Sequence, residues 1–186
     1  MEEKNKKEGL SESIIIPEGV EARFENSTVH IKGKNGDNSR DFSNPTIKKE
    51  IKDGKIVFSS EKSSKREKKI IGTYKSHVKN MLRGIQELHV YKLKICSGHF
   101  PMNIKVSKEE FVINNFLGEK VPRKMKINKK VNVKMEGDVI TVDSNDKEAA
   151  GQTAAKIEIL TKVKGRDLRI FQDGIYITEK DGKPVR

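Results

Sequence analysis

The strongest constraint on how this chain can fold is that it carries the same pattern twice. Val20, Ala22 and Phe24 alternate with charged residues, a polar turn at Glu25-Asn26-Ser27 follows, and Val29 and Ile31 resume the alternation. Shifted by 111 positions, these fall without a gap on Val131, Val133, Met135, the turn Glu136-Gly137-Asp138, Ile140 and Val142. Period-two spacing on both sides of a short polar turn marks a hairpin. A second match, at a shift of 79, sets Gly72 on Gly151, Val78 on Ile157 and Met81 on Leu160. Here Ile71, Tyr74, Val78, Met81 and Ile85 step by three and four, the spacing of one helix face. The two shifts differ by 32 residues, so the first copy should hold that much extra chain between hairpin and helix. Much of it is a further hairpin about Asp53-Gly54, a type I′ turn pair flanked by Ile47, Ile51, Ile56 and Phe58.

The fold class this implies is α+β: two tandem duplicated units, each a small, mostly antiparallel sheet packed against one helix. The expected divisions are a polar leader at 1–10, a first unit at 11–88, a second at 89–161 and a basic C-terminal tail at 162–186. Within the second unit, Val90, Leu93 and Ile95 read as extended before a break at Ser97-Gly98. Its helix should begin near Asn145, which would form a capping box with Glu148. Ala150, Ala154, Ile157 and Thr161 mark the inner face, small enough to let the helix approach a sheet closely.

Composition narrows the function. The formal net charge is +12, from 39 Lys and Arg against 27 Asp and Glu, which favours a polyanionic partner. With 33% hydrophobic residues and 35% charged, little is left for a deep catalytic cavity. Cys96, the single cysteine, excludes an internal disulfide and suggests a reducing compartment. The polar N-terminus lacks an apolar signal segment, and no run is long enough to span a bilayer. A cytoplasmic protein without a membrane partner is expected.

No catalytic site, cofactor, metal or small-molecule substrate is expected either. Cys96 and His99 have zinc-like spacing but no second cysteine to complete a site, and His30, His77 and His89 are scattered. No glycine-rich phosphate loop joins a strand to a helix, and Glu109-Glu110 is an exposed acidic pair. Basic residues, by contrast, are interleaved with apolar ones. Lys120 to Lys134 carries seven cations and no acid, and Lys75, Lys79 and Arg83 step by four along one helix side. That layout suits folded RNA read by shape and phosphate contact. Few aromatics and no aromatic array argue against single-strand stacking as the main mode.

Specific strings go further. IPEGV before a hairpin, GTYKSHVKNMLRGIQE, YKLKICSGHFPMNIKV, AAGQTAAKIE and KGRDLRIFQDGIYI are spread along the chain after the leader, and the likeness they carry extends over nearly all of it. On these strings the chain resembles the universal L-six family of large-subunit ribosomal proteins, in its archaeal and eukaryotic form. The resemblance implies a duplicated, non-catalytic protein that binds large-subunit rRNA near the stalk base and the translation-factor-binding region. Other large-subunit ribosomal proteins near the stalk base would be its neighbours, and its place the cytoplasmic ribosome. Carried over by residue, the rRNA-binding positions are Lys162, Lys164, Gly165, Arg166, Arg169, Gly174, Tyr176 and Lys180, with the two glycines allowing close backbone approach. The proline-rich ending of bacterial members is absent here. The alternative is an RNA-binding regulator or RNA-acting enzyme outside the ribosome.

Overall fold

The computed structural model describes residues 9–185 and divides into two compact units between Glu87 and Leu88. The first holds β1 (Leu10–Ile15), β2 (Glu21–Glu25), β3 (Thr28–Gly33), β4 (Gly36–Asp41), β5 (Lys48–Lys52), β6 (Lys55–Ser60) and α1 (Lys65–Gln86). The second holds β7 (His89–Cys96), β8 (Asn103–Val106), β9 (Glu110–Asn114), β10 (Arg123–Lys126), β11 (Asn132–Glu136) and β12 (Val139–Ser144). It continues through α2 (Lys147–Leu160), β13 (Gly174–Lys180) and β14 (Lys183–Pro184). Among the described residues every strand pair is antiparallel.

Turn chemistry explains the tight hairpins. Asp53 and Gly54 have φ of 49° and 70°, the two positive values that a type I′ turn requires between β5 and β6. Asp181 and Gly182, at 52° and 79°, make the same turn between β13 and β14.

Each unit contains two sheets rather than one. In the first, β1-β6-β5 and β2-β3-β4 close on a core with α1, built from Val29, Ile31, Ile56, Phe58, Ile71, Val78 and Ile85, all fully buried. In the second, β11-β12-β7-β13-β14 and β10-β9-β8 close with α2 on Leu93, Phe111, Ile113, Ile140, Val142, Ile157 and Ile175. The α2 face expected from sequence, Ala150, Ala154, Ile157 and Thr161, is buried at all four positions. Gly151 lets that helix sit on Tyr91, whose hydroxyl would lie 3.1 Å from an added Cβ.

Strand pairing corrects how the copies match. The counterpart of β11 and β12 is not β2 and β3 but β5 and β6, at a shift of 84. Lys48↔Ser59 and Lys52↔Lys55 in the first unit become Asn132↔Asp143 and Glu136↔Val139 in the second. The third strand agrees: β6 pairs with β1 through Leu10↔Ser60, and β12 with β7 through His89↔Ser144. The remaining three-stranded meanders also correspond, Val29 and Ile31 falling on the equally buried Phe111 and Ile113. Both copies therefore run strand, meander, hairpin, helix, and the expected 32-residue excess in the first does not exist. The ungapped match at 111 arose because every alternating strand with a two-residue turn resembles every other.

Two further expectations change. Residues 162–186, set apart in the sequence reading as a tail, supply β13, which pairs along β7 from Gly174↔Cys96 to Lys180↔Tyr91 and buries Ile175. The second helix is capped by Asp146 rather than Asn145: the Asp146 carboxylate accepts from the Glu148 N–H at 2.9 Å. The first helix starts a turn and a half before its apolar periodicity does. The Ser64 hydroxyl accepts from the Arg66 N–H and donates to the Glu67 carboxylate, an N-cap that apolar spacing does not reveal.

Candidate nucleic-acid interface

The loop from Thr161 to Asp173 joins α2 to β13, and both of its ends are fastened. Where α2 stops, the Thr161 hydroxyl accepts the Ile175 N–H at 2.9 Å and donates to the Glu158 carbonyl. Arg123 donates to the Leu160 carbonyl at 2.6 Å, closing the helix C-terminus with a cation where the helix dipole favours one. The same guanidinium grips Glu119 at 2.6 and 2.8 Å and lies 4.1 Å over the Phe116 ring. That bonding holds the Glu119 carboxyl below its ordinary pKa. Arg123, one of the seven cations of the 120–134 stretch, is thus turned to structural use.

At the other end, Asp173 clasps the turn after β7. Its carboxylate accepts from the N–H groups of Gly98 and His99 at 2.5 and 2.9 Å and bonds His99 Nδ1 at 2.5 Å. Burial alone would push the Asp173 carboxyl up, but these bonds hold it below the ordinary value. The His99 ring stacks on Phe171 at 4.6 Å, and Arg166 sits 4.8 Å from the same ring.

Between the fastened ends the chain turns outward. Lys162, Lys164, Gly165, Arg166 and Arg169 are all exposed, with Gly165 in a left-handed turn at φ 69° that has nothing within 4 Å of a Cβ position. Asp167 is the one acid in the loop from 161 to 172, and it bonds Arg169 at 2.8 Å, which lowers the acid's pKa and raises the arginine's. Leu168 and Ile170 are exposed beside these cations.

The structure groups most of the expected residues and separates two. Tyr176 stands at the loop's edge, 43% exposed, its hydroxyl donating to the Gln172 carbonyl at 3.1 Å. Gly174 is buried: a Cβ there would lie 3.1 Å from the Tyr176 ring, so its missing side chain seats that ring and leaves no bare backbone facing outward. Lys180 lies at the far end of β13, about 20 Å along the strand from Gly174 at the ordinary rise per residue. The row on α1 also divides, because Lys75 is held by Glu12 at 2.6 Å.

His99, Phe171, Gln172 and Asp173 complete the surface; of these the sequence drew attention only to His99, and as a rejected zinc ligand. Only the β7–β13 register, with Gly174 opposite Cys96, brings His99 to Asp173 across 74 residues. His99 is thereby committed to a carboxylate. Among the described residues no three His, Cys, Asp or Glu side chains form a metal-holding group, and no helix is long and apolar enough to cross a membrane. His89 is buried against Asp181 at 2.9 Å, an internal role.

Fold and surface define a duplicated α+β scaffold that presents a fastened, cation-rich loop. Comparison with known proteins says which scaffold. The family model for "Ribosomal protein L6" matches residues 16–88 and again 100–174, two successive spans as a duplicated chain requires. The large ribosomal subunit protein uL6 of Methanobrevibacter smithii is 43% identical over 172 residues, covering 92% of this chain and 97% of that protein. Its counterpart in Methanosarcina mazei is 45% identical over 171 residues, again with 92% and 97% coverage. The chain belongs to the ribosomal protein L6 family, in its archaeal type. Members of this family are structural components of the ribosome and not enzymes.

Proposed function

We propose that this protein is a structural constituent of the large ribosomal subunit that binds large-subunit rRNA near the stalk base, beside the translation-factor-binding region. Its partners there are that rRNA and neighbouring large-subunit proteins, and its place is the cytoplasmic ribosome. The relatives named for the large subunit support the assembly, and the loop supports the contact. The observation that carries the reading is that Lys162, Lys164, Arg166 and Arg169 project from a loop fastened at both ends, with a single acid among them. Cations held on a fixed frame neutralise phosphates at defined positions and release counterions as they do so. Tyr176 and Gly174 belong to the same contact as a seated ring, and Lys180 is a separate cation farther along β13. In this division of labour the second unit carries most of the RNA contact and the first serves mainly as scaffold.

Replacing Lys164, Arg166 and Arg169 together with Ala should lower affinity for large-subunit rRNA and flatten its dependence on salt by about one unit of log–log slope per lost phosphate contact. Unchanged affinity and slope would sink the reading. Sedimentation of the native protein separates the assembly from an extraribosomal regulator: the constituent travels quantitatively with large subunits, the regulator does not.

A further inference from the structure

Tyr176 is built more rigidly than a phosphate contact needs. Its ring rests on Gly174 and its hydroxyl is tied to the Gln172 carbonyl at 3.1 Å, so the side chain is pre-ordered by two contacts before anything binds. Partial burial, with Cys96, Asp173 and Glu158 nearby, pushes the phenol's pKa up from its ordinary value. The exposed part of the ring walls a groove of about 390 Å³ along the end of α2, shared with Ile159, Lys162, Leu168 and Phe171. Ile159 and Leu168 are 66% and 60% exposed, an apolar margin immediately beside a cation. The acid in the groove, Glu158, is already engaged, accepting the Ile177 N–H at 3.2 Å. Phosphates have no use for an apolar margin; the flat face of a nucleobase does.

We infer that Tyr176 is a base-stacking platform: an unpaired rRNA nucleobase packs on its exposed ring in the groove bordered by Ile159 and Leu168. Lys162 and Lys164 hold the phosphates of that nucleotide. The inference rests on the loop's being an rRNA contact and adds the chemical class of what sits in the groove. An aromatic platform accepts any base, because every base has a π-face, and stacking is far less sensitive to salt than phosphate contact. The cations and the ring should therefore answer differently to the same measurement.

The test compares the full-length protein and four variants on protein-free large-subunit rRNA, with affinity followed across salt concentration and base and backbone accessibility probed chemically. Tyr176→Leu should weaken binding about tenfold, with the salt slope unchanged. It should also uncover one base whose backbone stays protected. Tyr176→Phe, which keeps the ring, should lose much less and keep that base covered. Leu168→Ser, at a position too exposed to threaten folding, should weaken binding several-fold with the slope again unchanged. Wild-type affinity in both Tyr176→Leu and Leu168→Ser overturns the platform, and is also what a groove reserved for a protein segment would give. Weakened binding with no base uncovered overturns it too. If the Lys164, Arg166 and Arg169 triple variant binds poorly while Tyr176→Leu binds normally, only the stacking fails; if the triple variant binds normally, the loop reading fails with it.

Discussion

Two glycines show how differently one residue type can be used. Gly33 ends β3 against the helix: a Cβ there would lie 2.4 Å from Ile85 Cγ2, and Ile85 is itself fully buried. Gly33→Ala should cost about 1–3 kcal/mol as an overpacking change. Gly72, in the interior of α1, has nothing within 4 Å of its Cβ position, so Gly72→Ala should stabilise by about 1 kcal/mol through helix propensity. Urea unfolding of both variants checks the opposite signs. Asp173 sets a pH dependence. Its pKa is lowered in the folded protein, so its contribution is fully present above the ordinary carboxylate value and is lost as pH falls through the folded one. Asp173→Asn should destabilise by about 1–3 kcal/mol near neutral pH, and its gap from wild type should narrow below about pH 4. A gap independent of pH down to full acid unfolding would show that the clasp does not depend on charge. The Gly33 packing and the Asp173 clasp were not legible in sequence, because a Cβ clash and a clasp across 74 residues exist only once distant chain segments meet.

At the scale of elements, local chemistry was readable where it was complete within a few residues. The Asp53-Gly54 turn and the inner faces of both helices were of that kind. Helix starts were less so. Asn145 and Asp146 are both capping residues, and spacing to Glu148 favoured the first, whereas the backbone becomes helical at Lys147. Asp146→Ala should therefore cost about 1 kcal/mol, seen as a lower denaturation midpoint with helix content otherwise intact. β13 was hidden for another reason. Ile175 and Ile177 stand two apart, but Gly174 and charged neighbours give the segment the composition of a tail. Its partner strand, β7, lies about eighty residues earlier. Ile175→Ala should cost about 2–5 kcal/mol, a loss that a disordered tail could not produce.

For the whole molecule, each unit encloses its own hydrophobic cluster, the first about Phe58 and the second about Phe111. Phe58→Ala should remove about 3–5 kcal/mol from the first unit. Native-state hydrogen exchange should then show faster exchange in β1–β6 and α1 and little change in the second unit. Duplication, α+β class, basic character and the resemblance to a ribosomal family were all decided by the sequence alone. Periodicity, turn chemistry and charge are local properties, and family strings are written directly in it. Which hairpin corresponds to which, that the units are congruent up to their helices, and that the last basic segment is a strand of the second sheet were decided only by tertiary structure. Alternation says which side of a strand is apolar and nothing about which strand lies beside it. The pairing is settled by packing between residues about eighty positions apart, and it is that packing which sets Tyr176, Asp173 and the cationic loop on one surface.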